Sequence, residues 1–204
     1  MNVLYLTSSP RGADSYSSRV ANELIADIRR RSPGTNVTVR DLAADPLPHI
    51  DSDFVTATRG PSGPQNDRQR ALLQQSDELL AEVQAADTII IATAMINFTI
   101  PSTLKTWIDW IARPGKVFAY IDGKPKGLLA GKRVVIVDAS GGIYADNAPG
   151  DYQRPYLKQI LGFMGITDIE FIDVHGIGYG PDQAAKSLAT ANEQVRAMCD
   201  KAAA

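Results

Sequence analysis

The chain has 204 residues, 44% hydrophobic and 22% charged, with a net charge of −2; that is enough for one domain with a full core, and with no basic stripe it excludes a nucleic-acid partner. A single cysteine, Cys199, excludes an internal disulfide framework, and two distant histidines, His49 and His175, give no metal-ligand spacing. With no signal-peptide pattern and no apolar run near the length of a membrane span, a cytoplasmic protein is expected, free of membrane contact.

The elements alternate. Residues 2–7, around Val3-Leu4-Tyr5-Leu6, read as a buried strand. A hydroxyl-rich loop follows, Ser8-Ser9-Pro10-Arg11-Gly12-Ala13-Asp14-Ser15-Tyr16-Ser17, and opens a helix over 17–31 with Val20, Leu24, Ile25 and Ile28 at helical spacing. Arg29-Arg30-Arg31 and Pro33-Gly34 close that helix. A second strand spans 35–40. Residues 43–66 are rich in Pro, Gly, Asp and Ser and read as an excursion with little regular structure. A helix over 67–85 carries Leu72, Leu79, Leu80 and Val83 on one stripe. Thr88-Ile89-Ile90-Ile91-Ala92 is a strand buried on both faces. A helix from Pro101 to Ile111 places Trp107 and Trp110 on one face, for core or interface packing. Residues 115–131 form a second excursion. Strands over 133–137 and 169–174 and helices over 152–165 and 181–203 complete the chain.

Five strands with helical crossovers imply one α/β domain over 1–204: a flavodoxin-like, doubly wound parallel sheet of order 2-1-3-4-5 with helices on both faces. Such a sheet binds ligands at the C-terminal ends of strands 1, 3 and 4. Three sequence-distant segments fall there. The serine loop lacks both G-x-x-x-x-G-K-[ST] and G-x-G-x-x-G, so it suits a phosphate that is held and never transferred, such as the tail of flavin mononucleotide; plain helix capping is the alternative. Met95-Ile96-Asn97-Phe98 offers an amide for the polar edge of a flavin ring, with apolar surface beside it. Ala139-Ser140-Gly141-Gly142 permits close backbone approach, so that N–H groups reach the ring edge that becomes negative on reduction; a simple turn is the alternative. Tyr144 and Asp146 stand where they can border this pocket, His175 reads as a structural or rim residue, and Cys199 reads as inert.

These segments, with Val39-Arg40-Asp41-Leu42-Ala43, Gly162-Phe163-Met164-Gly165-Ile166 and Gly176-Ile177-Gly178-Tyr179-Gly180-Pro181, resemble the FMN-dependent NADH azoreductase family of NAD(P)H:quinone oxidoreductases along essentially the whole chain. The resemblance implies that Ser9, Ser15, Tyr16 and Ser17 surround the phosphate. It implies that Met95, Ile96, Asn97 and Phe98 line the ring, with Ala139, Ser140, Gly141 and Gly142 on its pyrimidine side. It further implies FMN as bound cofactor, NADH or NADPH as co-substrate, and a two-step hydride relay to quinones or azo compounds. No side chain need act as a catalytic group and no metal is needed. A homodimer is implied, in which Phe118, Tyr120 and Phe163 roof the partner's site. Ile96 replaces a frequent tyrosine and Ala139 a frequent serine or threonine. An electron carrier of the same fold, without turnover of its own, is the competing reading.

Overall fold

The chain begins with β1 (Asn2–Thr7), α1 (Tyr16–Arg31), β2 (Asn36–Asp41), α2 (Ser52–Arg59), α3 (Asp67–Ala85) and β3 (Thr88–Ala94). It continues with α4 (Ser102–Ile111), β4 (Phe118–Ile121), β5 (Lys124–Gly127), β6 (Arg133–Ser140), α5 (Gln153–Phe163), β7 (Asp168–His175) and α6 (Pro181–Lys201). This computed structural model describes residues 1–146 and 148–201, so the expected extension of the last helix to residue 203 lies outside the described residues. Five parallel strands pair in the order β2-β1-β3-β6-β7, the expected 2-1-3-4-5 arrangement.

Side-chain alternation along the strands builds two cores. Val134 and Ile136 of β6 face the layer of α3, α4 and α5. Val135, Val137 and Ala139 face α1 and α6, where Val20, Leu24, Ala191 and Val195 are buried. β3 is buried along nearly its whole length, as its β-branched run predicts.

Three expectations need correction. The 43–66 excursion contains a helix, α2, in which the Asp51 carboxylate accepts from the Phe54 N–H at 2.9 Å and Phe54 and Ala57 are buried. Flanking prolines and glycines conceal this short amphipathic stretch in the composition. The 115–131 excursion contains the antiparallel hairpin β4–β5. The strand expected over 133–137 runs on to Ser140, so Ala139 and Ser140 are strand residues rather than loop residues. Both residues pair with β7, and Ala139 also pairs with β3, which extends the ladder.

The excursions are pinned to the core. The Trp110 indole donates to the Pro48 carbonyl at 2.8 Å, and its ring lies 4.8 Å from that of Phe54. The hairpin docks where Gly127 crosses Gly165 (φ 99°), and the Leu129 N–H donates to the Met164 carbonyl at 2.9 Å. A Cβ on Gly127 would overlap the Gly165 backbone nitrogen, with no flexible side chain to yield. Gly127→Ala is therefore expected to lose about 2 kcal/mol of stability in urea unfolding, with early proteolysis in the hairpin.

Candidate functional site

β1 delivers the first turn. Ser15 caps α1, its hydroxyl accepting from the Ser18 N–H at 3.2 Å and lying 3.1 Å from the Ser17 hydroxyl. The Ser9 hydroxyl accepts from the Arg11 N–H at 3.4 Å. Among the described residues the backbone N–H groups of Ser9, Tyr16 and Ser17 find no acceptor. Three open donors at the positive end of a 16-residue helix form an anion cup. Ser8, Ser9, Ser15 and Ser17 are all buried, so the cup is walled by hydroxyls. The Arg11 and Arg19 guanidinium groups lie over the Tyr16 ring, at 5.4 and 5.8 Å from its centroid, and bring positive charge beside it.

β3 delivers the second turn. Ile96 and Thr99 exchange two backbone hydrogen bonds, at 2.8 and 3.1 Å, across Asn97 and Phe98. Both central residues have positive φ, 47° and 71°, as a two-residue turn of this hand requires. For a bulky residue such as Phe98 this conformation costs on the order of 1–3 kcal/mol. The Phe98 carbonyl accepts from the Tyr152 N–H at 3.0 Å, which holds the turn. Ile96, Asn97 and Phe98 are exposed and Met95 is half-buried.

β6 delivers the third. Ala139 and Ser140 are buried, and the Ser140 hydroxyl donates to the Gly142 carbonyl at 2.8 Å. The N–H groups of Gly178 and Gly176 donate to the carbonyls of Gly141 and Gly142 at 3.0 and 2.8 Å. With both carbonyls held, the Gly141 and Gly142 N–H groups have no acceptor among the described residues. A Cβ on Gly141 would meet nothing within 4 Å, whereas one on Gly142 would meet the Tyr144 ring at 3.1 Å.

The structure thus brings the serine cup, the Asn97–Phe98 turn and the glycine pair to one end of adjacent strands. A phosphate fits the open donors of the first turn. The exposed Phe98 and Ile96 offer apolar surface and the open donors of the third turn offer hydrogen bonds of the kind a flat polar ring would use, and no side chain lies within 4 Å of a Cβ on Gly141. Ile143, Tyr152 and Tyr179 expose further apolar surface on the same rim.

Phe118, Tyr120 and Phe163 are placed elsewhere. They cluster, with Phe118 centroids 4.6 Å from Phe163 and 6.0 Å from Tyr120. However, they lie where α4 and α5 end and β6 and β7 begin, about 25 Å along an eight-residue strand from the crevice. They do not line this chain's own crevice.

The chain matches the flavodoxin-like fold family model over residues 1–198. It is 48% identical over 200 residues to the FMN-dependent NADH:quinone oxidoreductase of Mesorhizobium japonicum, covering 97% of this chain and 95% of that one. It is 49% identical over 196 residues to FMN-dependent NADH:quinone oxidoreductase 1 of Rhizobium etli, covering 95% and 96%. This chain belongs to the flavodoxin-like FMN-dependent NADH:quinone oxidoreductase family. A solved relative in that family, an FMN-dependent NADH-azoreductase from Bacillus anthracis in complex with FMN, superposes with a TM-score of 0.90 over the full length of both chains at 26% identity.

At the crevice end of the strands, the sequence reading of His175 as a structural or rim residue did not pair it with Asp138. His175 is buried beside Asp138 under the glycine pair, together with Gln153 and Arg154. The available signal was Asp138 itself, a charge inside an apolar central strand. The opposite end of the sheet is chemically quiet: burial, then a hydrogen bond with Asp27, pushes the Cys199 thiol up to about 11. No described helix is long and apolar enough to cross a membrane.

Proposed function

We propose that this protein is an FMN-dependent oxidoreductase that passes a hydride from NADH or NADPH to quinones and azo compounds in two successive half-reactions. The observation that carries the reading is the crevice itself: open backbone donors at the α1 start and at Gly141–Gly142, with the exposed Asn97–Phe98 turn between them. The names of the relatives at 48–49% identity support the quinone acceptor, and that of the B. anthracis structure supports the azo acceptor.

Ser9, Ser15, Tyr16 and Ser17 hold the phosphate. Met95, Ile96, Asn97 and Phe98 line the ring, and the Ala139–Gly142 segment takes its pyrimidine side. When bound, FMN supplies the hydride acceptor and donor, serving reductant and oxidant in turn at one stacking face. The chain's own part is to bind, orient and stabilise charge. The α1 donors fix the phosphate end. The Asn97 amide is placed for the ring's polar edge, and Phe98 and Ile96 shield a face from water. The Gly141 and Gly142 N–H groups, aimed by their held carbonyls, stabilise negative charge at the pyrimidine edge. Product protons come from water, so no side chain is assigned as acid or base.

The far-end cluster of Phe118, Tyr120 and Phe163 supports a homodimer in which each copy roofs the other's crevice. We assign the whole chain to one domain and, given its dependence on an intracellular reductant, to the cytoplasm.

Rapid mixing of the yellow holoprotein with NADH without oxygen tests the reading. Flavin absorbance is expected to bleach, and turnover with benzoquinone should give parallel double-reciprocal lines. Absence of bleaching overturns the assignment; bleaching without quinone turnover makes the protein an electron carrier.

A further inference from the structure

The α5-facing side of β6 and β7 is apolar as far as Ile136 and Phe171, and then it changes. In register, Asp138 lies beside Asp173 and Ser140 beside His175. Asp138 has no exposed surface and His175 is only 7% exposed. Gln153 donates its side-chain amide to one Asp138 oxygen. The other oxygen lies 3.5 Å from His175 Nε2, and neither of those two atoms has a hydrogen-bond partner among the described residues. A carboxylate buried this completely is costly without countercharge. An imidazolium proton on His175 Nε2 would serve both orphaned atoms with a small side-chain movement.

The charged groups facing His175 are Asp138 from β6, Asp173 from β7 and Arg154 from α5. The Tyr144 ring meets it edge-on at a centroid distance of 6.2 Å. Arg154 is committed to Asp173 and Asp146 and lies over the Phe171 ring at 4.4 Å. Burial pulls the imidazole toward neutrality, but the adjacent Asp138 carboxylate and then the Asp173 charge outweigh it, so the net displacement is upward.

Chain geometry ties this pair to the crevice. His175 ends β7, and the next residue, Gly176, turns with φ 78° and donates to the Gly142 carbonyl. We propose that His175, held by Asp138, is a positioning residue of the flavin site: it fixes the strand end that aims the Gly141–Gly142 N–H groups, and it sets a positive charge behind them. The inference rests on the reading that FMN's pyrimidine edge meets Gly141–Gly142. A cation there favours the reduced, more negative ring over the oxidised one.

Potentiometry of the bound flavin in the holoprotein from pH 6 to 9 tests this. At pH 6, His175→Gln is expected to lose about tenfold in the preference for reduced over oxidised FMN, a fall of about 30 mV for a two-electron couple. The gap from the wild type should close as pH rises and His175 loses its proton. Asp138→Asn should retain the gap's origin but move the wild-type inflection to lower pH, because the imidazolium loses its carboxylate. Potentials of both variants that track the wild type at every pH, or that differ from it by a pH-independent offset, overturn the proposal. Gly141→Ala separates the underlying reading: its methyl meets nothing in the chain itself, so it should leave the melting temperature of the FMN-free protein unchanged and weaken FMN about tenfold. Unweakened binding in that variant refutes the placement of the ring edge, independently of His175.

Discussion

Ser9→Asp is expected to lose FMN by a factor of about a thousand or more while folding normally. The aspartate can accept the Arg11 N–H as the serine does, and the open N–H donors of the cup offset the cost of its burial. It therefore fills the anion cup from within. A phosphate monoester carries about −1.5 to −2 charges near neutrality. Each unit of like charge at 4 Å costs about 4 kcal/mol at an effective dielectric constant of about 20. Titration of the FMN-free protein with FMN and with riboflavin isolates the effect. Riboflavin has no phosphate, so its affinity should change little. Ser9→Asp binding FMN within tenfold of the wild type would remove the serine cup from the account.

The largest stability effect is expected at Trp110. Trp110→Ala should cost about 3–5 kcal/mol in urea unfolding. The ring is fully buried against Phe54, its N–H satisfies the Pro48 carbonyl, and its own carbonyl accepts from the Ser76 hydroxyl at 2.8 Å. Loss of the ring releases the 43–51 segment, where the His49 ring nitrogen also meets the Thr106 hydroxyl at 3.3 Å. Proteolysis should then begin in that segment. Trp107 offers the contrast, because its buried indole N–H has no partner among the described residues. Trp110→Phe orphans the Pro48 carbonyl and should be destabilising by about 1–3 kcal/mol more than Trp107→Phe, which removes an unpaired donor. Equal losses would contradict this accounting.

Hydrophobic period made most of this fold legible. Thr88 to Ala92 is uninterrupted and β-branched, so it reads as a central strand, and the helix over 67–85 falls on the residues expected. The convergence of the candidate loops was legible for a different reason: a doubly wound sheet leaves only certain strand ends for a ligand, and glycines and hydroxyls stand there. What stayed hidden was set by tertiary context. α2 is too short for its period to emerge from a Pro- and Gly-rich segment. Ala139 and Ser140 lie in a strand because β7 is long enough to pair with both and β3 reaches Ala139. The Asp138–His175 pairing joins residues 37 positions apart through a sheet register that no local pattern encodes. The positive φ of Asn97 and Phe98 was also concealed, since neither is glycine.

That last feature separates the frame of the turn from what it displays. The Ile96–Thr99 bonds and the Phe98 carbonyl's bond to Tyr152 involve main-chain atoms alone. Residue 98 thus resembles a picture hook, whose shape does not depend on the picture. Leucine, tyrosine or tryptophan there would inherit much the same backbone penalty, so each exchange would redecorate one wall of the crevice without rebuilding it. Under the proposed function, position 98 is therefore the place to retune which planar molecules the crevice accepts.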